Sequence, residues 1–415
     1  HTRFRNVTGV QTCALPISRP GPYPVGKLEH TIGLVNNLSS FYEYRVYCKG
    51  LHVSMAEFNL KAKEAITLIN DPILTSPVDV FSVDGSGTQD FDDAFSIEQT
   101  DTCTTVSIYI SNVALVIDRL GLWPYIKRTS SIYLPDKKHS MLPSVINAMT
   151  SLTKGTLRPV MAIHLSKATK ESNELKVTFS NQIVRVSNNY TYDEFDLMLE
   201  PFNQLKKFVE PNDAVANSRD LVSALMILAN YECAKIMTQG IFRNVVTTDK
   251  PELNRLTLSV ASYALQPVTH DGLRLKSYLQ VTSPMRRLVD LMNSICLQEQ
   301  LGLASFSNDA HQFYEKWKND LEKINRETTA IKKLQFECRL LNWCQTQNNT
   351  TYYGIVFGKK QVDCVYQYVV YIESIKMSAF IKTPSNLDEY STHQFTIHLF
   401  EDKDSFKKKV RVQLV

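Results

Sequence analysis

One short segment, Val83–Asp93 (VDGSGTQDFDD), constrains the fold of this chain more than any other. Four of its eleven residues are aspartates: Asp84, Asp90, Asp92 and Asp93. The apolar stretches Val78–Val83 and Ala94–Ile97 on either side predict two buried strands. We therefore expect a tight acidic loop whose two ends are fixed by a sheet.

Four carboxylates this close repel one another unless a cation lies among them. Oxygen ligands without nearby Cys or His favour Mg²⁺, or Mn²⁺, over Zn²⁺, and a pair of such ions can hold a phosphate for hydrolysis. A solvated acidic turn is the plain alternative. An EF-hand is excluded because Gln89 and Phe95 occupy its sixth and twelfth positions. An aspartyl-phosphate motif is excluded because Ser86 stands where it needs an acid.

The spacing of the four aspartates resembles the acidic signature of the RNB family, the ribonuclease II and R exoribonucleases. That signature is an Asp, five residues, a second Asp, one residue and then Asp-Asp-Ala, as in Asp84–Ala94. The resemblance covers roughly Asp79 to the C-terminus. It implies that all four aspartates are catalytic and bind one or two Mg²⁺ ions.

Two further segments extend the resemblance. Ser131–Pro143 (SIYLPDKKHSMLP) is similar to the family's YLP…MLP segment, which implies that Tyr133 stacks on a base near the RNA 3′ end. Met226–Asn230 (MILAN) is similar to a helix that lines the family's RNA channel, so Asn230 is expected to hydrogen-bond ribose. The plain alternatives are that Tyr133 fills a core and that Asn230 satisfies a neighbouring backbone group.

Tyr278–Asn293 (YLQVTSPMRRLVDLMN) is similar to the family's TSPIRRYADL segment. We predict that Thr282–Pro284 begins a helix, whose first amides together with two arginines would bind phosphate. The resemblance implies that Arg286 neutralises charge on the scissile phosphate, and that Arg287 and Ser283 bind RNA. A solvated pair of arginines is the alternative. The segment departs from the family pattern at Gln280, Leu288 and Ser294.

The composition excludes several classes of protein. The chain has 415 residues, 21% of them charged, and a net charge of +4, so any basic groove for nucleic acid must be local. No apolar run approaches the ~18 residues of a membrane span. The eight cysteines are scattered without zinc-ligand spacing. We predict an intracellular protein with reduced thiols, no membrane contact and no small organic cofactor.

We predict an α+β fold with two domains. Residues 1–18 are assigned no domain, because Val7–Ile17 (VTGVQTCALPI) resembles the translation of a sequencing-adapter oligonucleotide, which implies an N-terminal truncation. Residues 19–75 lead into an RNB catalytic domain at 76–348, a mixed sheet surrounded by helices. Residues 349–415 contain five predicted short strands, which indicate a small all-β OB-fold domain of the S1 type.

Periodicity gives the coarse elements outside the motifs. A strand is predicted at Tyr44–Lys49. Helices are predicted at Ser54–Leu68, Leu115–Arg128, Val215–Gln239 and, as one helix or two, Phe313–Cys344.

Together these features predict a processive 3′→5′ exoribonuclease that hydrolyses single-stranded RNA to nucleoside 5′-monophosphates with Mg²⁺. Two alternatives remain open. The chain could be a degenerate RNB protein that binds RNA or scaffolds a degradation complex, or it could use the same metal site as an endonuclease or a phosphatase.

Overall fold

The computed structural model describes residues 10–18, 25–34, 37–66, 78–168, 175–209, 215–245, 261–346, 351–402 and 407–415. The N-terminal elements are β1 (Val10–Ser18), β2 (Val25–Leu34), α1 (Leu38–Cys48) and α2 (Ala56–Ile66). The central elements are β3 (Val78–Asp84), β4 (Asp93–Gln99), β5 (Cys103–Ser111), α3 (Val113–Arg119), β6 (Ile132–Tyr133), β7 (Lys138–His139), α4 (Ser144–Thr150), β8 (Leu157–Ala168), β9 (Leu175–Thr191), α5 (Tyr192–Asp196), α6 (Leu199–Val209), α7 (Ser218–Ile236), β10 (Phe242–Val245), β11 (Ala261–Ala264), α8 (Leu288–Gln300), α9 (Asn308–Asn319) and α10 (Leu321–Thr346). The C-terminal elements are β12 (Thr351–Val362), β13 (Val365–Ile372), β14 (Met377–Thr383), β15 (Thr392–Asp402) and β16 (Lys407–Leu414). In these ranges no helix has the length and apolar character needed to cross a lipid bilayer.

In the N-terminal region, α1 packs against the long helix α10. Strands β1 and β2 pair antiparallel, so part of the adapter-like segment has a regular backbone that the sequence did not predict. The strand predicted at Tyr44–Lys49 is wrong, because these residues belong to α1 and its C-terminal cap. The Asn37 side chain caps α1, and Phe41, Tyr42 and Val46 bury one face against α10. The helix at Ser54–Leu68 is confirmed as α2.

A closed five-stranded barrel holds the acidic loop. Its strand order is β3-β4-β5-β8-β9, with β3 and β9 parallel and the other pairs antiparallel. Neighbouring residues of β5 join two different cores: Ile108 and Ile110 pack toward helices α6 and α7, and Tyr109 packs with Ala94 and Ala162. Because both faces of these strands are covered by apolar side chains, the ends of β3 and β4 are fixed in position.

The helical layer beside the barrel corrects two predicted boundaries. The helix predicted at Leu115–Arg128 ends at Arg119, because Gly121 takes a left-handed backbone and Pro124 lies in a short 3₁₀ turn at Trp123–Tyr125. The prediction at Phe313–Cys344 is confirmed as two helices, α9 and α10, which separate at Asp320. Helix α7 confirms the prediction at Val215–Gln239, and the Asn217 side chain caps it by accepting from the Asp220 amide at 3.0 Å.

The five predicted C-terminal strands are all confirmed. They form an antiparallel sheet of order β14-β13-β12-β15-β16, whose outer strands approach each other, as in a nearly closed OB-like barrel. Gly354 lies where a Cβ atom would meet Val370 Cγ1 at 2.7 Å, so the close packing inside this barrel requires glycine. The whole chain thus has the predicted α+β fold class, although the domain limits drawn from the sequence stay predictions.

Candidate active site

The acidic loop runs from the end of β3 at Asp84 to the start of β4 at Asp93. It contains a tight turn in which the Thr88 amide and hydroxyl both donate to the Gly85 carbonyl, at 3.1 and 2.8 Å. Gly87 takes a left-handed φ of 81° in this turn. Farther along, the Phe91 amide donates to Ser151 Oγ at 3.0 Å. The loop is therefore held along its length and not only at its ends.

Asp84 and Asp93 have no cationic partner within hydrogen-bonding distance in the described residues. Burial raises the pKa of Asp84 to about 6, a hydrogen bond from Ser82 lowers it, and the charge of Asp92 raises it. Burial also raises the pKa of Asp93 well above its usual range, and the charges of Asp84 and Asp92 raise it further. Asp84 Oδ2 is buried and has no hydrogen-bond partner among the residues that the structure describes. Two repelling carboxylates and an unsatisfied oxygen are what a hard divalent cation would stabilise.

Asp92 is buried and held by residues Thr282–Arg287, which we call the TSP segment. Its Oδ1 accepts from the Met285 amide at 2.9 Å, and its Oδ2 accepts from Arg286 Nε at 3.1 Å. Burial raises the pKa of Asp92, and the Arg286 guanidinium and the Met285 amide oppose that rise. Both oxygens of Asp92 are therefore engaged by groups that come from the opposite end of the domain sequence.

Asp90 faces a different partner. Its Oδ2 accepts from Lys138 Nζ and, at 3.2 Å, from Asn147 Nδ2. Neither Asp90 nor Lys138 is among the main influences on the pKa of Asp84 or Asp93. Asp90 thus lies on the side of the loop that faces the strand pair β6 and β7, because Lys138 belongs to β7.

The predicted four-aspartate metal site fits only in part. Across the described ranges, no three His, Cys, Asp or Glu side chains are arranged to hold a metal ion. Asp84 and Asp93 have the donor chemistry and the free buried oxygen for Mg²⁺ or Mn²⁺. Asp90 and Asp92 already have cationic partners in Lys138 and Arg286.

The TSP segment is an ordered turn that precedes a helix. The predicted helix start at Thr282–Pro284 is wrong, because α8 begins at Leu288. Buried Asp290 holds the turn in place. Its Oδ1 accepts hydrogen bonds from the Ser283 amide at 2.8 Å and from Arg287 Nη2 at 2.7 Å. In turn, Arg286 Nη2 donates to Ser283 Oγ at 2.9 Å.

Arg286 remains accessible although it is paired. Its side chain is 45% exposed, and only Nε and Nη2 have hydrogen bonds within the described part of the chain. Burial lowers the pKa of the guanidinium, but the nearby carboxylates of Asp92 and Asp290 raise it above its usual value, so the group stays charged. Arg287 points to Asp290 but keeps a buried Nε that makes no hydrogen bond in the described structure.

Tyr133 lies beside the same turn and is not core filler. Its ring is 43% exposed, and its amide donates to Gln335 Oε1 of α10 at 2.7 Å. The strand that carries it is joined to the TSP segment, because the Ser131 amide donates to the Arg286 carbonyl at 3.0 Å. The structure therefore brings Tyr133, Arg286 and the acidic loop together from three distant segments.

Two residues predicted to contact RNA, Asn230 and Ser283, are buried in the structure. Asn230 is 1% exposed: its Nδ2 donates to Tyr278 and Thr282 hydroxyls, and its Oδ1 accepts from the Val281 amide. Ser283 is 2% exposed and uses its amide and hydroxyl inside the turn. Both side chains hydrogen-bond within the TSP segment or to it, and their contacts with RNA stay predictions.

Four residues that hold the site residues in place were not predicted from the sequence: Lys138, Asn147, Asp290 and Gln335. Lys138 lies in the segment Ser131–Pro143 and Asp290 in the segment Tyr278–Asn293. A charged residue within each of these motifs was the sequence signal that pointed to them. Asn147 and Gln335 lie in helices far along the chain from their partners, and nothing in the sequence pairs them.

Comparison with known proteins agrees with this geometry. The family model described as "RNB domain" matches residues 75–239 and 250–302, which is more than half of the chain. The chain belongs to the RNB domain family. The match includes the acidic loop, the strand pair that carries Tyr133 and Lys138, and the TSP segment, whereas Gln335 lies beyond the matched residues.

Individual relatives cover different shares of the chain. Ribonuclease R of Mycoplasmopsis pulmonis (strain UAB CTIP) is 30% identical over 161 residues, which is 37% of this chain and only 21% of that relative. RNase R of Mycoplasma genitalium, solved in complex with ribose-methylated single-stranded RNA, has a TM-score of 0.75 at 15% identity, over 94% of this chain and 80% of that one. Yeast Ssd1, described as a pseudonuclease, has a TM-score of 0.66 at 13% identity, over 90% of this chain and 59% of that one. These structural likenesses concern the fold.

Proposed function

We propose that this chain is a 3′→5′ exoribonuclease that hydrolyses single-stranded RNA processively to nucleoside 5′-monophosphates, with Mg²⁺ or Mn²⁺ as cofactor. The observation that carries the proposal is the meeting of an unpaired buried carboxylate pair, an accessible arginine and an exposed tyrosine at one place in an RNB domain. Ribonuclease R, which this chain resembles, supports this class of activity.

Each residue of the site has a separate task in this proposal. Asp84 and Asp93 would hold the cation, which when bound supplies positive charge at the phosphate and makes nearby water more acidic. Arg286 offers the phosphate oxygens its Nη1, which makes no hydrogen bond to the described residues, and offsets the charge that grows in the transition state. Asp92 fixes the guanidinium through Nε, so that its direction is set before RNA arrives.

The terminal nucleotide is placed by the Tyr133 ring. Stacking on an aromatic face tolerates any base and contributes about 1–3 kcal/mol. Such a contact suits an enzyme that degrades RNA of any sequence. Arg287, whose side chain is partly exposed next to Arg286, supports binding of the RNA backbone.

A second candidate is an RNA-binding protein without nuclease activity. Two observations favour it: the pairing of Asp90 and Asp92 with Lys138 and Arg286, and the likeness of the fold to the pseudonuclease Ssd1. It differs from the first candidate in predicting RNA binding without any product.

The test is a gel assay on 5′-labelled single-stranded RNA with Mg²⁺, with EDTA and with the variant Asp93→Asn. We expect a Mg²⁺-dependent ladder that shortens from the 3′ end and is absent for the variant. The matched control is Asp101→Asn, because Asp101 lies exposed in the turn after β4. Intact RNA in every lane, together with a gel shift, would overturn the nuclease and favour the second candidate.

A further inference from the structure

The hairpin formed by β6 and β7 presents two different sides. Tyr133 and Lys138 are directly paired across it, so their side chains lie on the same face. Side chains alternate along a strand, so Lys137 and His139 point to the other face. There they pair with Glu43 of α1, at 2.7 and 3.1 Å. One face of the hairpin is thus anchored to α1, and the other is turned toward the acidic loop.

Lys138 links the acidic loop with the exposed ring. Its Nζ makes an ion pair with Asp90 and lies 5.4 Å from the centre of the Tyr133 ring. The Asp90 side chain is 17% exposed, and Asn147 holds the same oxygen, so the position of the lysine is well determined. A cation over one face of a tyrosine fixes the ring and leaves its opposite face open for a base.

We propose that Asp90 is not a metal ligand in this chain but the anchor of Lys138, and that this ion pair positions the Tyr133 ring for the 3′-terminal nucleotide. The inference rests on the proposed function for its RNA part only. It divides the acidic loop into two tasks: Asp84 and Asp93 serve the cation, and Asp90 serves the RNA end through Lys138.

The metal part is tested without activity, by titrating the protein with Mn²⁺ and counting free ion by electron paramagnetic resonance. We expect Asp90→Asn and Lys138→Met to bind Mn²⁺ within about threefold of the unchanged protein, because neither residue holds the ion. Asp93→Asn should weaken binding by about tenfold or more, the usual loss when a metal site is damaged. A tenfold loss for Asp90→Asn would overturn the inference.

The RNA part uses a single-stranded RNA with 2-aminopurine as its 3′-terminal base, in EDTA so that it is not cleaved. Stacking on Tyr133 quenches this base, and we expect Lys138→Met and Asp90→Asn to lose at least half of the quenching. Lys138→Arg should restore it, because the charge and the ion pair are kept. The matched control is Lys137→Met, which removes the same charge one residue away but on the α1 face.

The outcomes separate the two proposals. Equal quenching for Lys138→Met and Lys137→Met would overturn the positioning role and leave the proposed function standing. Absence of quenching in the unchanged protein, together with no effect of Tyr133→Ala, would overturn both the proposed RNA site and the inference. Lys138 is partly exposed, so its replacement leaves the buried core intact.

Discussion

The two halves of the acidic loop differ although they contain the same residue type. Asp84 and Asp93 repel each other, their pKa values are raised, and one buried oxygen has no partner. Asp90 and Asp92 are each joined to a cationic side chain from another segment. A matched motif thus indicates where the carboxylates lie. The cationic side chains that pair with some of them determine which carboxylates remain available to a cation.

The largest effect is expected from the unpaired half. Asp93→Asn or Asp84→Asn should lower the rate of RNA hydrolysis by roughly a thousandfold or more, because the cation and its stabilisation of the transition state are lost. Binding of RNA in EDTA should stay within about threefold of the unchanged protein, since Tyr133 and the arginines remain. Single-turnover kinetics and fluorescence anisotropy measure the two quantities. Equal losses of rate and affinity would contradict the assignment of Asp84 and Asp93 to the cation.

The paired half should show a smaller effect on the rate. Arg286→Lys keeps the charge but loses the fixed fork that donates to Asp92 and Ser283 at once. We expect a fall in the hydrolysis rate of roughly a hundredfold, as for loss of one oriented donor, with Mn²⁺ affinity unchanged. Arg185→Lys is the control, because Arg185 is an exposed arginine of β9 that lies opposite Asp79, away from the acidic loop. A rate near that of the unchanged protein would contradict the assigned role.

The pH dependence of the free energy of unfolding distinguishes the unpaired carboxylates, Asp84 and Asp93, from the paired ones, Asp90 and Asp92. The pKa of Asp84 is raised from 3.8 to about 6 in the folded protein, so the folded state binds this proton more tightly than the unfolded chain. Without cation, the free energy of unfolding should therefore fall as pH rises through this window. Mn²⁺ needs the ionised carboxylate, so its stabilisation should appear above pH 6 and reach about 2–3 kcal/mol at a hundred times Kd.

Thermal unfolding with Mn²⁺ and with EDTA, at pH 5 and pH 7.5, measures this difference. We expect an upward shift of Tm by Mn²⁺ at pH 7.5 and almost none at pH 5. Asp84→Asn should show almost no Mn²⁺-induced shift of Tm at either pH. The same shift at both pH values would show that the cation binds elsewhere.

The smallest expected effect concerns a residue whose polar atoms are all satisfied internally. Asn230→Ala should lower the free energy of unfolding by about 1–2 kcal/mol, because the Val281 amide and two hydroxyls lose a partner. RNA affinity of the folded variant should be unchanged, as measured by anisotropy well below its Tm. A selective loss of RNA affinity at unchanged stability would restore Asn230 as an RNA contact.

The sequence predicted the parts of the fold that depend on local pattern. The five C-terminal strands, α2, α7 and the strands beside the acidic loop have strong periodicity, and all are present. Tyr44–Lys49 was missed because its β-rich composition suggests a strand, while the Asn37 cap and packing on α10 make it a helix. The break after Arg119 depends on Gly121 and Pro124, whose local turn signals prevail over the apolar pattern that predicts a longer helix.

The candidate site also depends on contacts between distant segments, which local sequence patterns do not predict. The motif located Asp84, Asp93, Arg286 and Tyr133 in one RNB domain, but it gave four aspartates one shared role. Ion pairs between segments, such as Asp90 with Lys138, arise only when the barrel and the hairpin meet. Burial of Asn230 and Ser283 likewise follows from tertiary packing and has no signature in a single sequence.

The central claim is hydrolysis from the 3′ end at the Asp84–Asp93 site, and product analysis tests it most directly. A linear RNA and a circular RNA of the same sequence would be incubated with the protein and Mg²⁺, and the products identified by mass spectrometry. We predict nucleoside 5′-monophosphates and a short 5′ remnant from the linear RNA, and no product from the circle. Internal fragments from the circle, or free phosphate from either RNA, would contradict the account and indicate an endonuclease or a phosphatase instead.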